Sequence, residues 1–227
     1  MNVLKTLAAT SAAIMIATTA LPAAADSYGR HGTRNYEVTI TNASAVFFTP
    51  ILAVAHKASL QLFEVGAAPS DALTELAESG SQAGYMARLA LVPQQVGDVQ
   101  STGGLLAPGQ SVVIEMAAGR RFNRLSLAAM LLPTNDSFVA AQGVALPKFR
   151  GQRVTYNAIG YDAGSETNDE LCAHIPGPQC EGAALSPQDE GEGYVRVSPG
   201  IQGVGDLSAM DYDWRNPLAV VSIKRVD

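Results

Sequence analysis

The sequence predicts an all-β protein, an antiparallel Greek-key β-sandwich with one or two short helical insertions. Three observations predict it. Short β-prone runs recur along the chain and are separated by Gly, Pro, Asn and Asp turn signals. Helical periodicity is confined to two short segments near residues 70 and 88. No repeated strand–helix alternation exists to build a parallel doubly wound sheet.

The first strand is read over Tyr36 to Asn42, where Tyr36, Val38 and Ile40 alternate with polar residues and share one half-buried face. Residues Asp26 to Arg34 before it are polar and read as a mobile leader. Ser70 to Ser79 reads as a helix: Ser70 caps the first turn, Asp71 suits the positive end of the dipole, Leu73, Leu76 and Ala77 form the apolar stripe, and Gly80 stops it. A second helical stretch, Tyr85 to Leu91, ends before Pro93. Pro108-Gly109 turns the chain into a strand over Ser111 to Met116. Arg124 to Leu132 is a long apolar run, which reads as a central strand buried on both faces. Further strands are expected over Phe138 to Gln142, Arg153 to Tyr161, Tyr194 to Val197 and Leu218 to Val226. Between Gly164 and Gly193 apolar periodicity disappears, so this stretch is read as a long loop of the kind that carries function.

Composition narrows the function classes. The chain has 227 residues, 47% of them hydrophobic, and a formal charge of −6, which excludes collagen, coiled-coil and disordered classes and argues against nucleic-acid binding, since phosphate neutralisation needs a basic face. Residues 1–25 read as a signal peptide: a charged start at Lys5, an apolar Ala-rich segment and an Ala23-Ala24-Ala25 cleavage site before Asp26. The alternative, an uncleaved anchor, has too short an apolar core to span a bilayer, and no later stretch supplies a transmembrane segment. Residues 26–227 are then a single domain in a secreted or periplasmic protein. In that oxidising setting Cys172 and Cys180, flanking the Pro176-Gly177-Pro178 turn, are expected to form a disulfide. A thiolate metal site is disfavoured because the chain holds no second cysteine pair.

Enzyme signatures are missing: there is no Gly-x-Ser-x-Gly elbow, no His-Glu-x-x-His and no phosphate or dinucleotide loop. No catalytic residue is assigned. Of three histidines, His31 lies in the leader, His174 reads as a surface residue inside the cysteine loop, and His56 as a satisfied histidine at a strand end.

What the loops do carry is oxygen ligands. Pro133-Thr134-Asn135-Asp136 follows the most apolar strand, and Asp162 to Asp169 follows the strand ending at Tyr161. Asp162 and Glu166, four apart across a Gly turn, can curl toward one ion, with Asp136 completing the set from the neighbouring loop and Asn135, Asn168 and Asp169 as possible additional ligands. Calcium takes six to eight such oxygens. Asp, Asn and Gly clusters are also ordinary turn formers, and the spacing is not that of a twelve-residue helix–loop–helix calcium loop.

The stretches Leu131 to Phe138, Asp162 to Asp169 and Trp214 to Ala219, in that order, resemble the spondin N-terminal domain family in its bacterial secreted form. The resemblance implies a β-sandwich with a calcium ion at one end, the Asp of its Asn-Asp turn falling on Asp136, that of Asp-Ala-Gly on Asp162, and the acidic residue four later on Glu166. In animal matrix proteins such a domain serves adhesion. The expected function is therefore an exported, non-enzymatic calcium-binding module for adhesion or ligand binding, meeting a protein or glycan partner. The alternatives are a metal-assisted periplasmic or extracellular hydrolase and a purely structural envelope component.

Overall fold

The computed structural model describes residues 32–185 and 191–227, so the expected signal peptide and cleavage site, the expected leader up to residue 31 and His31 lie outside the described residues. In chain order the strands are β1 (Thr33–Asn42), β2 (Phe47–Phe48), β3 (Leu52–His56), β4 (Val96–Ser101), β5 (Ser111–Gly119), β6 (Arg124–Leu132), β7 (Ser137–Ala145), β8 (Arg153–Asp162), β9 (Arg196–Val197) and β10 (Ala219–Arg225). Helices α1 (Asp71–Ser79) and α2 (Ala83–Ala90) lie between β3 and β4, and the one-turn α3 (Ala209–Tyr212) precedes β10.

The strands are joined antiparallel in the order β4-β3-β6-β7-β8-β10-β1-β5, with β2 added to β6 and β9 to β8. This is the expected all-β, antiparallel sandwich-like fold. Its layers are parts of one sheet that curls until its outermost strands nearly meet, a consequence of strand twist accumulating across the sheet. Inside the curl lies the main core, with Val38 and Ile40 of β1, Leu125, Leu127 and Leu131 of β6, and Val221 and Ile223 of β10. The opposite face of β3, β6 and β7 is covered by the helices: Leu52, Val54, Ala128, Phe138 and Ala140 pack against Leu73, Leu76 and Tyr85. Two covered faces explain why β6 is apolar at almost every position, as its sequence predicts.

Helix α1 begins and ends where the sequence places it. Ser70 accepts a hydrogen bond from the Leu73 amide, and Gly80 closes the last turn in the left-handed conformation, φ 70°. Two expectations need correction, and β4 is a strand outside those expected. The first strand starts at Thr33, so Thr33 and Arg34 are not leader; pairing with β5 extends it beyond the alternating run. The second helix is Ala83–Ala90, starting two residues earlier than predicted and ending one earlier. Strand β4 carries no apolar alternation, because Gly97, Asp98 and Gln100 interrupt it, and it is held extended by its ladder to β3. His56 ends β3 with its ring satisfied, as expected, and is buried: its Nδ1 lies 2.7 Å from the Lys57 carbonyl oxygen and its Nε2 2.8 Å from Ser126 Oγ.

Candidate metal site at the rim of the sheet

The site grows from two neighbouring strand ends. Strands β6 and β7 are joined by Pro133 to Asp136, and Ser137 at the start of β7 sits opposite Asp162 at the end of β8. Thr134 folds the first turn: its hydroxyl lies 2.7 Å from the Leu131 carbonyl oxygen and accepts the Ser137 amide at 3.2 Å. In the second turn Asp162 Oδ1 accepts the Gly164 amide at 2.8 Å. Gly164 holds φ 68°, and a side chain there would run into the Tyr194 main chain, so glycine is required on both counts.

These turns bury all three predicted carboxylate residues and bring the Asp136 side chain to the Glu166 main chain. Asp136 and Asp162 are 0% exposed and Glu166 is 1% exposed. Asp136 Oδ2 accepts the amides of Ser165 and Glu166 at 2.8 and 3.1 Å, which ties the first loop to the second. Its other oxygen, Oδ1, is buried with no hydrogen-bond partner. Burial, then the charge of Asp162, raises the Asp136 carboxyl from 3.8 to about 8, against the lowering effect of the Glu166 and Ser165 amides. Asp162 is also raised, first by burial and then by Glu192, and is drawn back by Arg196, Asn168 and the Gly164 amide.

Two neighbours were not legible in the sequence. Arg196 of β9 donates to Asp162 Oδ2 at 3.0 Å and also pairs with Glu192. Partial burial works against its charge, but the carboxylates of Asp162 and Glu192 outweigh that and raise its pKa. Both residues lie far from the Asp-rich turns in sequence; only the pairing of β9 with β8, which sets Arg196 beside Asp162, brings them in.

The possible additional ligands divide. Asn168 joins the cluster, donating to Asp162 Oδ2 at 2.8 Å. Asn135 and Asp169 instead engage each other: Asn135 Nδ2 donates to Asp169 Oδ1 at 3.0 Å, while its own oxygen accepts the Glu170 amide at 3.1 Å. Asp169 Oδ2 lies 2.6 Å from His174 Nδ1, so His174 is a partly covered latch rather than a free surface residue. Asp169 has a lowered pKa although burial opposes this, because the Leu171 amide, Asn135 and His174 all favour its charge. The disulfide Cys172–Cys180 is formed just beyond, with the two Cα atoms 4.7 Å apart. Glu170, also buried, accepts the successive amides of Gln202, Gly203 and Val204 at 2.6 to 2.9 Å and fastens that segment to the same loop.

Among the described residues no group of three or more His, Cys, Asp or Glu side chains is arranged as a ready metal-holding cluster. What the site does hold is two fully buried carboxylates and an orphaned acceptor on Asp136, with Arg196 hydrogen-bonded to Asp162 and, among the described residues, no cationic side chain bonded to Asp136. Buried carboxylate oxygens of this kind suit a hard, oxygen-seeking cation.

A family model described as Spondin_N matches residues 33–171, a span that includes both Asp-bearing turns. No curated protein matches the chain.

Proposed function

The chain belongs to the spondin N-terminal domain family, and from that premise we propose that it is an exported, non-enzymatic module that holds a calcium ion at the rim formed by Asp136, Asp162 and Glu166. The family is one of extracellular modules and is in general non-enzymatic. The disulfide agrees with an oxidising compartment, and among the described residues no helix is long and apolar enough to cross a membrane.

One observation carries the reading: the buried, partnerless Asp136 Oδ1 on a carboxyl raised to about 8. A group so placed lacks positive charge. Bound calcium would supply that charge and oxygen coordination. The chain's own residues do the rest. The Ser165 and Glu166 amides orient Asp136, Gly164 and Asn168 orient Asp162, and the Asn135–Asp169–His174 chain pins the two loops together. A rim ordered in this way would present a fixed surface to a protein or glycan partner at the cell surface or in the matrix. Residues 26–227 would form this one domain after signal removal.

The test is elemental analysis of the exported protein after dialysis, with thermal melts in calcium and in chelator. Stoichiometric calcium and a higher midpoint with the ion are expected. Equal midpoints and no retained metal would remove the calcium reading.

A further inference from the structure

Strands β6, β7 and β8 run between two ends of the sheet. The turns that carry Asp136 and Asp162 close one end, and the β5–β6 and β7–β8 connections close the other. Along the ten residues of β8 the two ends lie about 30 Å apart, at ~3.3 Å per residue. Exposed cations gather at the second end: Arg120 and Arg121 in the β5–β6 connection, Lys148 and Arg150 in the β7–β8 turn, and Arg153 at the start of β8. The two connections adjoin, since the Leu146 amide donates to the Asn123 carbonyl at 3.0 Å. Among the described residues these five cations make no ion pair. The carboxylates nearest to them along the strands are Asp227, ion-paired with Arg225; Asp98, which accepts the Ala117 amide; and Glu37 and Glu115, in one row with Lys224. The formal charge of −6 hides this separation of charge. We infer that this end is a docking surface for a bilayer rich in anionic phospholipid, with Phe149 as its apolar anchor. The inference is independent of the calcium reading.

Phe149 specifies what would fit. It stands between Lys148 and Arg150 at 72% exposure, yet its turn is fixed. Gln152 Oε1 accepts the Lys148 and Phe149 amides at 3.0 and 3.1 Å, the Phe149 carbonyl accepts the Gln152 amide at 3.0 Å, and the Gly151 amide donates to the Arg225 carbonyl at 2.8 Å. A ring held out on an ordered turn loses little freedom on binding. Flanked by cations, it matches the boundary of a bilayer, where an apolar group enters among the acyl chains while Lys and Arg meet headgroup phosphates. A soluble polyanion, such as a sulfated glycan or a nucleic acid, would satisfy the cations and leave the ring in water. The acidic rim does not oppose this docking, because about 30 Å is several Debye lengths of about 8 Å each at physiological salt. A protein docked in this way points its candidate metal rim away from the membrane.

Vesicle flotation with the full exported chain can test this, using vesicles of phosphatidylcholine alone and of phosphatidylcholine mixed with phosphatidylglycerol at about two to one. Binding to the mixed vesicles only is expected, in calcium and in chelator alike, and it should weaken as salt rises. Lys148→Gln and Arg150→Gln should each weaken it about fivefold, the equivalent of ~1 kcal/mol per cation near an anionic surface. Phe149→Ala should weaken it about tenfold, while Phe149→Trp should keep it and add emission that shifts to the blue on the vesicles. Equal binding to phosphatidylcholine alone, binding that requires calcium, unchanged affinity in Phe149→Ala, or an unshifted Phe149→Trp emission would each overturn the inference. So would tight binding of heparin, unaffected by Phe149→Ala, by a chain that leaves the mixed vesicles bare.

Discussion

Replacing Asp136 by Asn should have opposite consequences with and without calcium. In chelator, the folded protein keeps this carboxyl protonated up to about 8, whereas the unfolded chain releases the proton near 3.8. A raised carboxyl pKa gives stability that is fully present below the unfolded value and is lost as pH rises through the folded one. Near pH 7 the group is about three pH units above its unfolded value, and at 1.36 kcal/mol per unit the burial costs on the order of 4 kcal/mol. Asn has the same shape and no charge, and its oxygen can keep the Ser165 and Glu166 amides. Its NH2 group then occupies the place of the partnerless Oδ1, which costs about 1–3 kcal/mol. The net expectation in chelator at neutral pH is a gain of about 1–3 kcal/mol, a rise in midpoint of roughly 2–10 °C. At pH 5, only about one pH unit above the unfolded value, the burial penalty shrinks to about 1.5 kcal/mol and most of the gain should vanish. In calcium the order should reverse, since the variant loses a ligand and with it the metal-dependent stabilisation. Calorimetry of both proteins, in chelator and in calcium at the two pH values, reads all of this. A variant less stable than wild type in chelator at neutral pH, or one that keeps the full calcium shift, would refute the reasoning.

Other substitutions probe the surrounding residues. Arg196→Met leaves the buried Asp162 without its cation and should cost about 1–3 kcal/mol in chelator by urea unfolding, with a smaller loss in calcium. The pair Cys172→Ser with Cys180→Ser should lose about 2 kcal/mol, and hydrogen exchange should rise first between residues 164 and 182. Ser126→Ala strands His56 Nε2 and the Gly143 amide, both bonded to the missing hydroxyl, and should lower stability by about 2 kcal/mol with no change in calcium dependence.

The parts of the fold legible in the sequence are those where one local cause decides the structure. Ser70 and Gly80 mark the ends of α1 because capping is a local hydrogen-bond requirement. The span of β6 is legible because both its faces are covered and almost every position is apolar. Strand β4 is not, since its conformation comes from a partner 40 or so residues earlier in the chain. The same division runs through the candidate site. Asp136, Asp162 and Glu166 stand in short turns of recognisable chemistry, and the structure buries each of them. Arg196, which balances Asp162, lies in the strand expected over Tyr194 to Val197, of which only Arg196–Val197 forms, and nothing local ties that strand to Asp162. Asn135 and Asp169 carry the right donor atoms, yet those atoms are committed to one another and to Glu170 and His174, a choice made by the three-dimensional approach of the loops.

Asn42 and Asn135 each begin an Asn-x-Ser tripeptide, and the same side-chain amides are sealed inside the fold: Asn42 Nδ2 donates to the carbonyls of Val46 and Leu106, Asn135 Nδ2 to Asp169. Oligosaccharyltransferase would have to reach these nitrogens while the nascent polypeptide was still unfolded, and a sugar added then would prevent both turns from closing. Molecules secreted by a yeast or mammalian expression strain should therefore separate into bare, native protein and a glycosylated, misfolded fraction.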